Sequence, residues 1–537
     1  MKRIICLLIM LSAIVSVAFA QTDSRRTFDV REFGAVGDGV SLDTKAIQSA
    51  VDQCGKLGGV VVFPRGVYLT GSIELRSNVE LQVQTGATIL GSTNIADYFE
   101  RVPKLKSYNN GFLKHSLFYA EGQSNISITG SGTIDGQGAE FKVLTKEKPA
   151  RYMNRPYLFR FVECSNVTVT GLTLQNSASW MQHYLACDGV IIRGIRVFNH
   201  ANQNNDMMDV DGCRNVVIAD CLGDTDDDGI TLKSTSDRVT ENVSISNCVL
   251  SSHCNAIKAG TESTGGFKNI TISNMVVKPS GVATTKFGKP GGISGISLEL
   301  VDGGVMEGIS VSHVVIDGPE VPIFIRLGNR GRKHWEGAPQ PGVGLMRGIS
   351  VSHVIAYNVK SIGCSITGIE GHSVGDVSLD DIRLKFAGGV ETAPSAKVDE
   401  LADQYPEATM WGTLPSYGFF VRHVRGLRMR GLSIGYQQED TRPAMIFNDV
   451  ADARIDNSDM MISAKAEALI VLDKVSGMTL SGSTVRGKVG TAFRLIGDEN
   501  MQISAIGNDL REVGAICEPG TALGKAVYSS GNQLGQQ

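Results

Sequence analysis

Past its first twenty residues the sequence has no apolar run near the roughly 20 residues that a membrane-spanning helix needs. A spanning helix is therefore excluded from the rest of the chain. Charge of one sign is also lacking. Lys and Arg total 51 against 55 Asp and Glu, a formal net charge of −4. No Lys/Arg cluster carries interleaved aromatics, so nucleic acid is not an expected partner. Proline is scarce, 15 residues beside 62 glycines, which suits short strands and tight turns. Cysteine is uneven. Cys6 lies in the leader, and the nine that remain are an odd number, which argues against a full disulfide framework. The leader itself, MKRIICLLIMLSAIVSVAFA, has basic Lys2 and Arg3, an apolar stretch over 4–17 and an A-x-A site at 18–20. Residues 1–20 thus read as a secretory signal peptide. Cys6 precedes the cut, so no lipid anchor is expected. The mature chain, 21–537, is expected to be soluble, monomeric, and periplasmic or extracellular.

What the sequence does have is a repeat. SNISITGSGTIDG, SNVTVTGLTLQN, DGVIIRGIRVFN, RNVVIADCLGD, ENVSISNCVLSS, KNITISNMVVK, EGISVSHVVID and RGISVSHVIAY follow one another from Ser124 to Tyr357. Their first apolar residues are Ile126, Val167, Val190, Val216, Val243, Ile270, Ile309 and Ile349, followed by Val377. The base period is about 25 residues, with longer steps where loops are inserted. Each unit alternates apolar and polar residues, which is strand periodicity. Units too short to bury a face alone must stack on their neighbours. The expected fold is all-β: a single right-handed parallel β-helix. Asn125, Asn166, Asn215, Asn242 and Asn269 share one repeat position, where stacked amides form a ladder. Cys164, Cys187 and Cys213 share another and read as buried thiols. His313 and His353 hold identical SHV positions and read as structural. An N-terminal helical cap is expected in SLDTKAIQSAVDQCGKLGG, N-capped by Asp43, with Ala46, Ile47, Ala50, Val51 and Cys54 on one face. From 416 the repeat weakens but persists, and 386–415 is the largest insertion.

The densest chemistry is DTDDDGITLKS, 224–234, with four aspartates in five positions. Asp224, Asp226, Asp228 and Gly229 match the opening of an EF-hand loop, but the twelfth position is Thr235 where a bidentate Glu should close the cage. No metal and no cofactor is expected. Asp206, in NQNNDMMDVDG, precedes Asp227 by roughly one coil. Coils stack about 4.8 Å apart, so Asp206 should lie beside Asp227 and Asp228. Carboxylates that close repel, which raises at least one pKa. A pair held at different protonation states is what glycoside hydrolysis needs.

On these motifs the sequence resembles glycoside hydrolase family 28, the polygalacturonase-type pectin hydrolases. FDVREFGAVGDGVSLDTKAIQSAV resembles the N-terminal signature of pectin-active β-helix proteins. GSGTIDGQG and LTLQNSASWMQHYLACDGVIIRGI are more particular to the hydrolases. NNDMMDVDGC, with Asn204 and Asp206, resembles their N-x-D motif, and DTDDDGITLKS their paired-aspartate motif. The resemblance spans about 28–430. It implies an inverting hydrolase of galacturonate-containing pectic glycans, with Asp227 as general acid and Asp206 and Asp228 activating water.

The sequence departs from the family at two places. The usual Gly-His-Gly stretch reads SSHCNAIKAGTES, putting Asn255 at the histidine position and His253 two residues earlier. Rhamnogalacturonan-cleaving relatives also lack that histidine. The Arg-x-Lys site for a substrate carboxylate reads GISLELVDGG, with Ser297 and Glu299 in place of the cations. Lys233, Lys258 and Arg326 are the replacement candidates, beside Arg330 and Arg332. Trp180 and His183, one turn before Asp206, are expected to line sugar subsites, and Trp335 and Trp411 lie in insertions beside the groove. The altered clamp points to rhamnogalacturonan or side-chain galacturonides rather than plain homogalacturonan, and the insertions at 278–294, 328–345 and 386–415, walling one end of the groove, point to exo action. Two other functions use the same fold: a calcium-dependent pectate lyase and a non-catalytic glycan-binding β-helix.

Overall fold

The computed structural model describes residues 26–535 apart from 112, 148–149 and 519–525. Residues 1–20, read above as a signal peptide, lie outside the described residues. Parallel strands stack from Thr27–Asp29 to Gln533–Leu534, each pairing with the strands one coil before and after. The chain is a right-handed parallel β-helix. Its register follows the repeat. Ile126 pairs with Val167, Val167 with Val190, Val190 with Val216 and Val216 with Val243. Val243 then pairs with Ile270, Ile270 with Ile309, Ile309 with Ile349 and Ile349 with Val377. All nine are buried. One aliphatic column therefore runs along the interior, and a one-residue slip in any coil would turn its apolar set outward.

The turns explain the asparagines. Asn125, Asn166, Asn215, Asn242 and Asn269 all have φ between 53° and 58°, the left-handed region that Asn tolerates better than most residues. Asn166 Nδ2 donates to Asn125 Oδ1 (3.0 Å), Asn242 to Asn215 (3.3 Å) and Asn269 to Asn242 (3.1 Å). The ladder skips one coil, where Gly189 holds the position and Asn215 donates to Asp188 instead (2.7 Å). A second such column includes His313 and His353, whose rings stack 4.6 Å apart at 3°. Among the described residues the nine cysteines are free thiols, and all but Cys517 are buried.

Helix α1 (Thr44–Leu57) packs Ile47, Ala50, Val51 and Cys54 against the first coil. It caps the N-terminal end of the core. Asp43 precedes it without a side-chain cap; its carboxylate instead accepts from the Val36 and Gly37 N–H groups (2.7 and 3.0 Å). The largest insertion begins slightly later than the sequence suggests, because Lys385, Phe386 and Gly388 still pair with the next coil.

Candidate active site

Four strands build the site: β1 (Met208–Asp211), β2 (Ile230–Ser234), β3 (Asn255–Ser263) and β4 (Ser294–Leu300). β1 pairs with β2 as Met208–Ile230, and the Met207 N–H donates to the Asp228 carbonyl. Continuing that ladder sets Asp206 level with Asp228. Asn255 is next in the column and pairs with Ser294. Gly229 makes this stacking possible: a Cβ there would meet the Ala256 carbonyl oxygen at 2.4 Å.

Each carboxylate has its own surroundings. Asp228 Oδ1 accepts from the Asn255 N–H (3.1 Å) and Nδ2 (2.8 Å), and Oδ2 lies 3.0 Å from Lys258 Nζ. Ser294 Oγ donates to Asn255 Oδ1 (2.6 Å), which fixes the amide with its NH₂ toward Asp228. Asp227 Oδ1 accepts from the Asp228 N–H (3.0 Å). Asn204 Nδ2 reaches Asp227 Oδ2 at 3.5 Å, its other end held by Arg155 (3.0 Å). Burial, then the Asp228 charge, pushes the Asp227 carboxyl up to about 6, against the pull of Lys258 and Lys233. Asp206 is buried and its Oδ1 has no hydrogen-bond partner. Burial, then Asp209 and Asp227, drives it well above the usual carboxylate range.

The three acids open into a cavity of about 130 Å³. Trp180, Lys233, Glu262 and Arg332 line it further, and Tyr108, Tyr152 and Tyr405 from inserted loops border it. Lys233 Nζ sits 4.6 Å over the Trp180 ring and 3.3 Å from Glu262. Arg332 stacks 3.7 Å over Tyr108 and ion-pairs Glu262 at 2.6 Å. Burial works against the Glu262 charge, but Lys233 and Arg332 outweigh it and hold its pKa well below the usual range. A more open depression of about 330 Å³ near Lys488 and Arg511 carries a single carboxylate, Glu512.

Not every expected residue reaches this cavity. His183 is fully buried, with Nε2 3.0 Å from Asp211 and its ring stacked on Tyr157. His253 faces the other flank, bonded to Asp226 (3.0 Å) and the Val282 carbonyl (2.8 Å). Arg326 donates to Thr367 Oγ1 and to the carbonyls of Gly368, Glu400 and Leu401, so it clasps the 386–415 insertion and offers no clamp to a sugar. Trp411 packs there too, over Arg326 and Arg422. Glu299 is buried between Ser297 (2.6 Å) and Lys258 (3.9 Å), and burial pushes it up to about 7.

Other residues emerge only now. Asp209 is buried, 3.6 Å from Lys233, with neither oxygen hydrogen-bonded. Its signal was strand alternation: with Met208 and Val210 inward, Asp209 and Asp211 must face out. Glu407 is pushed up to about 8 by burial, against Lys258. The tyrosines come from loops with no repeat register and left no signal.

Residues 55–400 match the sequence profile of the glycosyl hydrolases family 28. The chain belongs to that family. It is a glycoside hydrolase, and the lyase and non-catalytic readings are not favoured. Among its family 28 relatives, a probable polygalacturonase of Vitis vinifera is 28% identical over 414 residues, covering 72% of this chain and 80% of that one. An exo-poly-alpha-D-galacturonosidase of Dickeya chrysanthemi is 26% identical over 338 residues, 52% of this chain and 56% of its own. The structure of an exopolygalacturonase from Thermotoga maritima shares the fold, with a TM-score of 0.55 at 24% identity, over 67% of this chain and 87% of that one.

The acids of the partial EF-hand match are dispersed. Asp224 accepts from Ser280 Oγ (2.6 Å) and pairs with His200 (2.8 Å), Asp226 turns to His253, and Asp228 to Lys258. They cannot converge on one hard cation with six to eight oxygens. Millimolar calcium is expected to leave the melting temperature unchanged in scanning calorimetry; a saturable rise would restore the calcium loop.

Proposed function

We propose that this family 28 enzyme is exported and releases galacturonate-containing units from the ends of pectic chains, by inversion. The observation that carries the reading is the small cavity: three carboxylates converge in about 130 Å³, with loop tyrosines at its border and basic side chains beside them. A cavity of that size suits a single sugar residue and no continuous chain. The names of the relatives supply the pectic substrate.

Asp227 is the general acid. Its raised pKa keeps a proton available in mildly acidic solution. It protonates the glycosidic oxygen as the C–O bond breaks. Asp228, ion-paired to Lys258 and anchored by Asn255, takes a proton from the attacking water, which Asp206, level with it, helps to hold. One proton enters the leaving group and one leaves water, so the acids return to their starting states when solvent exchanges them. Asn204 orients Asp227, Trp180 offers a ring to the sugar face, and Lys233 and Arg332 are the cations facing a substrate carboxylate. With Glu299 closed onto Lys258, the homogalacturonan clamp of the family is lost. Rhamnogalacturonan-derived or side-chain galacturonides are therefore preferred to plain polygalacturonate.

The test compares kcat/KM on homogalacturonan and rhamnogalacturonan fragments while products are followed over time. New reducing ends without the absorbance of an unsaturated product, and release of one residue at a time, are expected. Rapid mid-chain cleavage of homogalacturonan would refute the exo mode and the altered clamp together.

A further inference from the structure

Behind the acid-bearing turn lies a cluster that catalysis does not use. His200 ends one coil, Asp226 immediately precedes the catalytic pair, and His253 comes from the next coil. Their nearest nitrogen and oxygen atoms lie within 4.8 Å of one another. All three side chains are nine-tenths or more buried.

The hydrogen bonds set the proton positions. His253 Nε2 faces the Val282 carbonyl (2.8 Å), which only accepts, so Nε2 carries the hydrogen. In the neutral ring Nδ1 then presents a lone pair, yet it faces Asp226 Oδ1 at 3.0 Å, another acceptor. His200 repeats the pattern. Its Nε2 meets the Asp224 carboxylate (2.8 Å), while Nδ1 has no hydrogen-bond partner and points at Asp226 from 3.9 Å. With both rings neutral, three lone-pair atoms converge with nothing positive between them. Asp226 and Asp224 bring two negative charges. Lys286 meets Asp226 through its backbone N–H and places its ammonium on the His200 carbonyl.

We propose that His200 Nδ1, His253 Nδ1 and a carboxylate oxygen of Asp226 bind one divalent transition-metal ion of the zinc class. Two imidazoles and a carboxylate are a common borderline donor set. Each ligand already has the outer partner that metal-bound side chains use: Asp224 for His200, the Val282 carbonyl for His253, and the Lys286 and Phe287 N–H groups for Asp226. Zinc–nitrogen bonds of about 2.0–2.1 Å set the ligand atoms roughly 3.3 Å apart, so His200 Nδ1 draws in from 3.9 Å and His253 Nδ1 moves out from 3.0 Å of Asp226. The bound ion ties successive coils together just behind Asp227 and fixes the 278–293 loop. The sequence hid the site because its three ligands come from separate coils.

The test uses the full chain, stripped with chelator and titrated with cobalt(II), then zinc. Cobalt is expected to bind one per chain, with the intense visible bands of a low-coordinate nitrogen and oxygen site, and zinc to displace it. Asp226→Asn and His253→Gln should abolish those bands. Asp224→Asn, which touches only an outer partner, should weaken binding roughly 10–100-fold. Wild-type protein that shows neither bands nor stoichiometric zinc by elemental analysis would overturn the proposal and leave two protonated imidazoles as the neutralising charge. Bands that survive in Asp226→Asn would overturn it equally, since the ion would then sit elsewhere. The wild-type titration needs no variant to fold.

Discussion

Asp227→Asn should lose turnover by at least about a hundredfold, the lower end of what a general acid supplies, and should melt higher than wild type at pH 7. The two effects share one cause. The folded pKa of Asp227, about 6, lies above the ordinary carboxylate value of 3.8. A carboxyl raised on folding leaves stability intact below pH 3.8 and removes it as pH rises through about 6. The amide does not ionise, so the variant keeps what wild type loses. A shift of about two units corresponds to roughly 2–3 kcal/mol, reduced because the new amide offers Asn204 one acceptor fewer. The gap in melting temperature should open between pH 4 and 6 and then level. Wild-type kcat/KM should fall as pH rises through about 6 and Asp227 loses its proton. Because Asp206, Asp227 and Asp228 interact, the measured limb belongs to the set and not to one residue. Melting curves and pH–rate profiles of both proteins check this. A variant with wild-type turnover on the true substrate would remove Asp227 from the acid role.

The second large effect falls on Lys258. Its ammonium lies 3.0 Å from Asp228 and 3.9 Å from Glu299, beside the ring of Tyr405. Lys258→Met leaves two buried carboxylates without their cation, and breaking a buried pair in this way costs about 3–5 kcal/mol. Asp228 then loses the cation that holds its carboxylate toward the attacking water, so turnover falls as well. Adding Glu299→Gln should restore part of the stability and none of the turnover. Denaturant midpoints and initial rates for the single and double variants separate the two losses. A single variant with the wild-type midpoint would show that the ammonium does not compensate these acids.

Strand alternation made the solenoid legible. The apolar column from Ile126 to Val377 pairs in the order read, because each residue must face inward for its unit to be buried. Asp206 also lands in the coil beside the Asp227/Asp228 pair, level with Asp228. Turns were less legible. His253 and Asn255 are two residues apart, yet one serves the outer flank and the other holds a cavity carboxylate. Period two settles direction along a strand, whereas the turn ahead of it sets its own. Arg326 misled for a different reason. It faces outward as alternation requires, but the 386–415 insertion folds over it and supplies carbonyls that satisfy it. Loop tyrosines such as Tyr405 carry no period at all.

The free thiols have a consequence for how the protein can be watched. With no disulfide among the nine cysteines described, folding to this state requires no oxidant. Eight buried sulfhydryls mark positions from Cys54 on the inward face of the helical cap to Cys364, while half-buried Cys517 marks the far end. Each becomes reactive to an alkylating dye only when its own coil opens. The order in which they label is therefore a clock, written into the chain, that reports from which end the solenoid comes apart.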